Sequence, residues 1–280
     1  MAENNMTEKL QLIDVEKVFA SKDEKLLKRI PDFFISYLKR IVHQEEINEF
    51  LIENQDAIGV DFISRGIKHM NVKVNFAGLE NIKSDKRLIV VANHPLGGLD
   101  GLCLIKTIAE KLDPGVKVTS NDLLLNVKPL RSIFLGVNKH GGNSRAYIKE
   151  MQETFDGEHA IVFFPAGLVS RRTWGKIEDV DWKRTFVKKA VEHQRDVLPV
   201  HISGRVSNFF YNLANLRKLL GIRYNIEMLY LPNELFKHKN EELTITFGPI
   251  IPWEQFTKEK RPEEWARFVK KQVYDIGKKK

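Results

Sequence analysis

The chain has a single cysteine, Cys103, in 280 residues, so no internal disulfide can form. That usage is expected of a reducing compartment. No apolar run reaches the roughly 18 to 20 residues that a helix needs to cross a bilayer. The opening Met1-Ala-Glu-Asn-Asn-Met-Thr-Glu8 lacks the basic and apolar regions of a secretory signal. A cytoplasmic protein is the expectation. No Gly-x-Gly-x-x-Gly turn and no phosphate-loop Gly-Lys-Ser/Thr occur, which removes the common nucleotide-binding signatures. No Gly-x-Ser-x-Gly elbow supplies a serine nucleophile. No His-Glu-x-x-His pair supplies metal ligands, and no metal site is expected.

What the chain does have is positive charge. Its formal net charge is +8, on a composition that is 42% hydrophobic and 29% charged. Those proportions are ordinary for a globular fold, and the length allows a large core. Excess positive charge attracts nucleic acid, phospholipid head groups or acidic carrier proteins. Nucleic acid is the weakest of the three. The chain lacks zinc-finger spacing and RNP-like or helix-turn-helix signatures, and no basic strand interleaves with aromatics.

Residues 1–70 read as a helical segment. Leu26, Leu27, Ile30, Phe33, Phe34, Tyr37, Leu38, Ile41 and Val42 form one helical stripe, with the main helix starting near Pro31. Lys25, Lys28, Arg29, Lys39 and Arg40 flank it. Aromatic and basic neighbours suit a helix lying on a membrane surface, and they equally suit one packed on the main body. The acidic stretch from Glu45 to Asn54 argues against lipid contact along the whole segment.

From residue 71 to 280 strand-like and helix-like patterns alternate, which predicts an α/β sheet with helices on its faces. Strands are expected at 72–76, 88–92, 116–118, 160–164, 197–202 and 243–247. Helices are expected after Asp100 and at 143–155, 186–193, 208–220 and 262–276.

The most informative run is Leu88-Ile-Val-Val-Ala-Asn93-His94-Pro95-Leu96-Gly97-Gly98-Leu99-Asp100-Gly101. Its four aliphatic residues suit a strand covered on both faces. His94 then sits past the strand's carboxyl end, where open α/β sheets place ligands. Pro95, Gly97 and Gly98 form a tight turn, and Asp100 lies near the start of the next helix. Two readings of the pair stand: a turn residue and a helix cap, or an imidazole oriented by a carboxylate to take a proton. Cys103 falls in the apolar register of that helix and reads as core.

Three more blocks follow in order: Phe134-Leu-Gly-Val-Asn-Lys139, Val162-Phe-Phe-Pro165-Ala166-Gly167-Leu168-Val169-Ser170-Arg171-Arg172, and Val197-Leu-Pro-Val200. With the His94 run they resemble the four ordered motifs of the glycerolipid acyltransferases related to bacterial lysophosphatidic acid acyltransferase. The resemblance covers residues 70–250 and implies a mixed sheet flanked by helices. Five residues separate His94 from Asp100 where the family usually has four. This form is similar to the hemolysin-like branch that acylates lyso-ornithine or lyso-glycine lipids. Ala166 replaces a usual glutamate, Leu168-Val169 replace threonine-arginine, and Lys139 stands where arginine is common. Those arginines would grip a glycerol phosphate, since guanidinium forks onto phosphate. Their absence points toward an amino-acid lipid, whose carboxylate needs a smaller clamp.

The resemblance implies acyl transfer from acyl-carrier protein or acyl-CoA to a lysolipid hydroxyl at a membrane surface. No further cofactor is needed, and the protein would sit on the inner face of the cell membrane. His94 would be general base and Asp100 its orienting partner. Asn93, Gly97, Gly98, Lys139, Phe164, Pro165, Gly167, Ser170 and Arg171 would contact substrate, with the Gly167 amide as oxyanion donor and the two turn glycines admitting substrate to the backbone. The alternatives are a 1-acylglycerol-3-phosphate acceptor, or a lipid- or carrier-binding protein without catalysis.

Overall fold

The computed structural model describes residues 12–17, 31–83, 87–113, 115–120, 127–136 and 145–278. Among the described residues, helices α1 (Asp32–Ile41), α2 (Gln44–Glu53) and α3 (Gly59–His69) precede the sheet. Nine strands follow: β1 (Lys73–Ala77), β2 (Leu88–Ala92), β3 (Val116–Ser120), β4 (Phe134–Gly136), β5 (Ala160–Phe163), β6 (Arg171–Thr173), β7 (Lys176–Glu178), β8 (Asp196–Ile202) and β9 (Glu242–Phe247). Six helices intervene or follow: α4 (Leu99–Lys111), α5 (Arg145–Asp156), α6 (Thr185–Glu192), α7 (Asn208–Leu219), α8 (Leu231–Lys237) and α9 (Pro262–Ile276).

Seven strands form one sheet in the order β1-β9-β8-β2-β5-β3-β4, and β6 and β7 form a separate antiparallel hairpin. All neighbours in the large sheet pair in parallel except β8 and β9, so the sheet is mixed, as expected. Period-two alternation divides its side chains between two cores. Leu88, Val90 and Ala92 of β2, with Val162 of β5 and Leu198 of β8, face one core. Ile63 and Ile67 of α3 and Leu104 and Ile108 of α4 complete it. Ile89, Val91, Ile161 and Val197 face the other, closed by Phe186 of α6 and by Trp265 and Val269 of α9. Burial on both faces explains why β2 is aliphatic throughout.

The helical reading of residues 31–70 holds, and α3 packs into the sheet's own core. Helix α1 stands apart, packing Leu38 and Ile41 on Val15 and Tyr230. The stripe's first residues, Leu26 to Ile30, lie outside the described residues. Sequence patterning found neither β4 nor the β6–β7 hairpin nor α8. The first three are three-residue strands, and α8 is seven residues long with proline in its first turn.

Candidate active site

Strand β2 runs through the middle of the sheet and delivers His94 to the edge where the parallel strands end. The chain turns through Pro95–Gly98 and enters α4, so Asp100 becomes the second residue of that helix. Its carboxylate is fully buried and held from four directions. Oδ1 accepts the amides of Gly98 at 3.0 Å and Gly101 at 2.9 Å. Oδ2 accepts the Leu96 amide at 2.9 Å and meets His94 Nδ1 at 2.9 Å. Burial opposes this charge, but His94 and the amides of Leu96 and Gly101 outweigh it and hold the carboxyl below its ordinary range.

An ionised Asp100 can only accept, so His94 Nδ1 carries the proton and the Nε2 lone pair is bare. The imidazole is 19% exposed. Its other flank lies on the Phe164 ring, with centroids 4.5 Å apart. Burial alone would depress its pKa; the attraction of Asp100, its hydrogen bond and the nearby charge of Asp179 raise it net. The arrangement is a fixed tautomer on a partly exposed ring, which is what a general base requires.

Asp179 was not foreseen. It is buried, 85 residues from His94 in sequence, and its Oδ1 accepts the His94 amide at 3.2 Å and the Ser170 hydroxyl at 2.6 Å. Oδ2 accepts the Trp182 indole at 2.9 Å, while its main chain bonds Tyr274 and Lys270 of α9. Burial pushes this carboxyl above its usual range, against those hydrogen bonds. Asp179 thus ties the His94 loop to α9, and nothing in the local sequence marks it.

The family model described as "Acyltransferase" matches residues 17–279. The chain belongs to the acyltransferase family. It is 46% identical over 267 residues to the lyso-glycine lipid O-acyltransferase of Bacteroides thetaiotaomicron, covering 95% of this chain and 98% of that one. It is 45% identical over 265 residues to the protein of the same name from Phocaeicola vulgatus, covering 95% of each. The solved 1-acyl-sn-glycerophosphate acyltransferase PlsC of Thermotoga maritima shares the fold at a TM-score of 0.50 and 18% identity, over 94% of this chain and 87% of that one. The resemblance read from the ordered motifs is therefore correct, including its aminolipid branch.

Several residues of the acyltransferase expected to touch substrate hold the loop instead. Asn93 is 3% exposed, and its carboxamide brackets the main chain of Ile202, donating to the oxygen at 2.8 Å and accepting from the amide at 2.7 Å. Gly97 has φ +73°, and a Cβ there would come within 2.6 Å of Val169 and 2.7 Å of Leu231. Close protein packing, rather than substrate, requires that glycine. Gly98 spends its amide on Asp100 and faces Leu235. The Gly167 amide donates to Phe164 O at 2.9 Å, so it is not an oxyanion donor. Ser170 is buried; its hydroxyl is committed to Asp179 and its amide to His94 O at 2.8 Å. Pro165 is buried and its carbonyl accepts the Lys183 amide at 3.0 Å. Phe164 alone of this group meets the imidazole. Lys139 lies outside the described residues.

Arg171 is the clearest correction. It is 4% exposed and bonds Val169 O at 2.9 Å and Glu227 Oε1 at 3.1 Å. The second oxygen of the fully buried Glu227 lies 2.9 Å from Arg217 Nε. Arg171 is one arm of a buried Arg–Glu–Arg bridge, with no fork left for a lipid head group. Arg171→Ala should leave Glu227 Oε1 without its partner and cost about 3–5 kcal/mol of unfolding free energy in urea titration. The acceptor KM of the folded enzyme should stay within about twofold, whereas a head-group clamp would raise it strongly. Cys103 is buried in α4, and burial pushes its thiol up to about 12, so it is core as expected.

A cavity of about 290 Å³ borders the Pro95–Gly98 turn, lined by Leu96, Leu99, Gly204 and Arg205. A larger one, about 640 Å³, lies beside Gly115 and Val116 at the amino ends of the strands, away from His94.

Proposed function

We propose that the chain is a lysolipid O-acyltransferase that esterifies the hydroxyl of an amino-acid lysolipid, taking its acyl group from acyl-carrier protein or acyl-CoA. The observation that carries this reading is the 2.9 Å His94–Asp100 contact, with Nε2 left bare at the strand's carboxyl end. Nε2 takes the acceptor's hydroxyl proton as the oxygen bonds to the thioester carbonyl carbon. Asp100 stabilises the imidazolium so formed. Collapse of the tetrahedral adduct breaks the C–S bond, and the departing thiolate recovers the proton from Nε2. The protein supplies no nucleophile, and the step consumes no cofactor.

The acceptor class is supported by the relatives' names and by Lys139 and Val169 standing where the family's phosphate-gripping arginines are usual. A lysolipid acceptor also implies work at a membrane. No helix among the described residues is long and apolar enough to cross one. Contact with the inner membrane face completes the reading.

The test is an acceptor panel with purified enzyme and either donor: lyso-glycine lipid, lyso-ornithine lipid and lysophosphatidic acid. Turnover should favour an amino-acid lysolipid by at least about tenfold in kcat/KM, a difference of about 1.4 kcal/mol. Equal or better use of lysophosphatidic acid overturns the acceptor assignment. Absence of ester formation with every acceptor overturns the activity.

A further inference from the structure

We propose that α7, the turn after it and the tip of the β6–β7 hairpin form one surface that seats on an anionic lipid bilayer beside the catalytic loop. This inference rests on the lysolipid reading and identifies which face meets the lipid.

Seven large hydrophobic side chains between residues 209 and 229 are exposed, including Phe209, Leu216, Leu219, Leu220 and Tyr224. At 100° per residue, Phe209, Leu216, Leu219 and Leu220 fall on one side of α7. The opposite side buries Phe210, Tyr211, Ala214 and Arg217. The helix therefore has two apolar faces, and only one is covered. Grouped exposed apolar surface of this kind marks a contact site.

The hairpin flanks that open face. Arg172 bonds Asn208 and Asn212 of α7, and Asn215 donates to Arg172 O. At the hairpin's tip Trp174 is fully exposed, in a left-handed turn (φ +52°) next to Gly175 (φ +75°). A tryptophan held out by a tight turn suits the head-group level of a bilayer, where an amphipathic ring is at ease.

Charge selects the occupant. Residues 205–226 contain four arginines or lysines and no aspartate or glutamate. Arg205, Lys218 and Arg223 are exposed. Cations bordering an apolar face complement anionic lipid head groups. A second copy of the chain docked here by a two-fold axis would set these like charges against one another.

Position links the face to chemistry. The Phe209 ring meets Tyr230 edge-on, with centroids 4.9 Å apart, and the next residue, Leu231, fills the space against Gly97 of the turn after His94. Val169, just before the hairpin, fills the other side of Gly97, and the Ser170 amide bonds His94 O. A bilayer on this surface lies against the elements that frame His94. An acceptor with its chain in the membrane can then present its hydroxyl without leaving it. Helix α1 adds Phe33 at the margin, joined through the 2.7 Å contact between the Tyr37 and Tyr230 hydroxyls.

The test is co-sedimentation of the full chain with vesicles of phosphatidylcholine, with and without phosphatidylglycerol. The parent should partition onto the anionic vesicles, less so at high salt, with a blue shift of tryptophan emission that Trp174→Phe removes. A Leu219→Glu/Leu220→Glu variant should partition at least about tenfold more weakly. Its turnover of a short-chain, water-soluble lysolipid should stay within about twofold of the parent, which shows an intact fold and site. Partition of that variant equal to the parent overturns the proposal. So does loss of binding on Phe33→Glu/Phe34→Glu alone, or a shift of the free protein from dimer to monomer on Leu219→Glu/Leu220→Glu. If the parent binds vesicles but does not turn over the soluble acceptor, the functional reading fails and the docking surface stands.

Discussion

His94→Ala should lower kcat for acyl transfer by at least about a hundredfold, and by as much as about ten-thousandfold, in the folded variant. The effect follows from what the imidazole holds. Nδ1–H is committed to Asp100, so Nε2 is the one ring nitrogen that can receive a proton, and alanine provides no substitute. The parent should also show a sigmoid pH profile. The base form is the neutral imidazole, so kcat/KM must fall as pH drops through the pKa of His94. Burial opposes the charged ring, but Asp100 and Asp179 more than offset it, so the midpoint lies above the ordinary value of 6.5. A flat profile from pH 5 to 9, or near-parental turnover in the alanine variant, would end the general-base mechanism.

Asp100→Asn should come close in severity, about a thousandfold or more in kcat, through the tautomer rather than through lost contact. The substituted carboxamide would keep its one oxygen for the Gly98 and Gly101 amides, which turns its NH₂ toward the Leu96 amide and His94 Nδ1. Donor then faces donor. The imidazole relieves this by baring Nδ1 and placing its proton on Nε2, the nitrogen the reaction needs empty. Stability carries a second signature. The Asp100 carboxyl titrates below its ordinary 3.8, so its interactions stabilise the fold above that pH and are lost as pH falls through the folded value. Asp100→Asn should therefore be less stable than the parent at neutral pH, with the difference shrinking in acid. Urea titrations at pH 7 and pH 3 measure it; a difference that grows in acid would contradict the assignment.

The long, doubly buried strands were legible because hydrophobic patterning is local. Leu88–Ala92 is bounded in the structure as its aliphatic run is in sequence. The hairpin was not legible, since Arg171–Thr173 and Lys176–Glu178 carry no alternating apolar pattern and gain their place from α7. The same limit governs the site. Gly97 and Gly167 look alike as turn glycines. One is required by the approach of Val169 and Leu231, and the other spends its amide on Phe164. Which polar group is already satisfied depends on partners far along the chain.

By itself the sequence determined the sheet's central strands, the His94–Asp100 pair six residues apart, and membership of the acyltransferases. The first two rest on residues close in the chain, where backbone geometry leaves little choice, and the third on four motifs read in order. Only the tertiary structure decided that Arg171 serves Glu227 rather than a lipid, that Asp179 anchors the His94 loop, and that α7 leaves one apolar face uncovered. Burial and pairing are properties of neighbours in space, and a charge or a leucine reads the same in sequence whether or not something covers it.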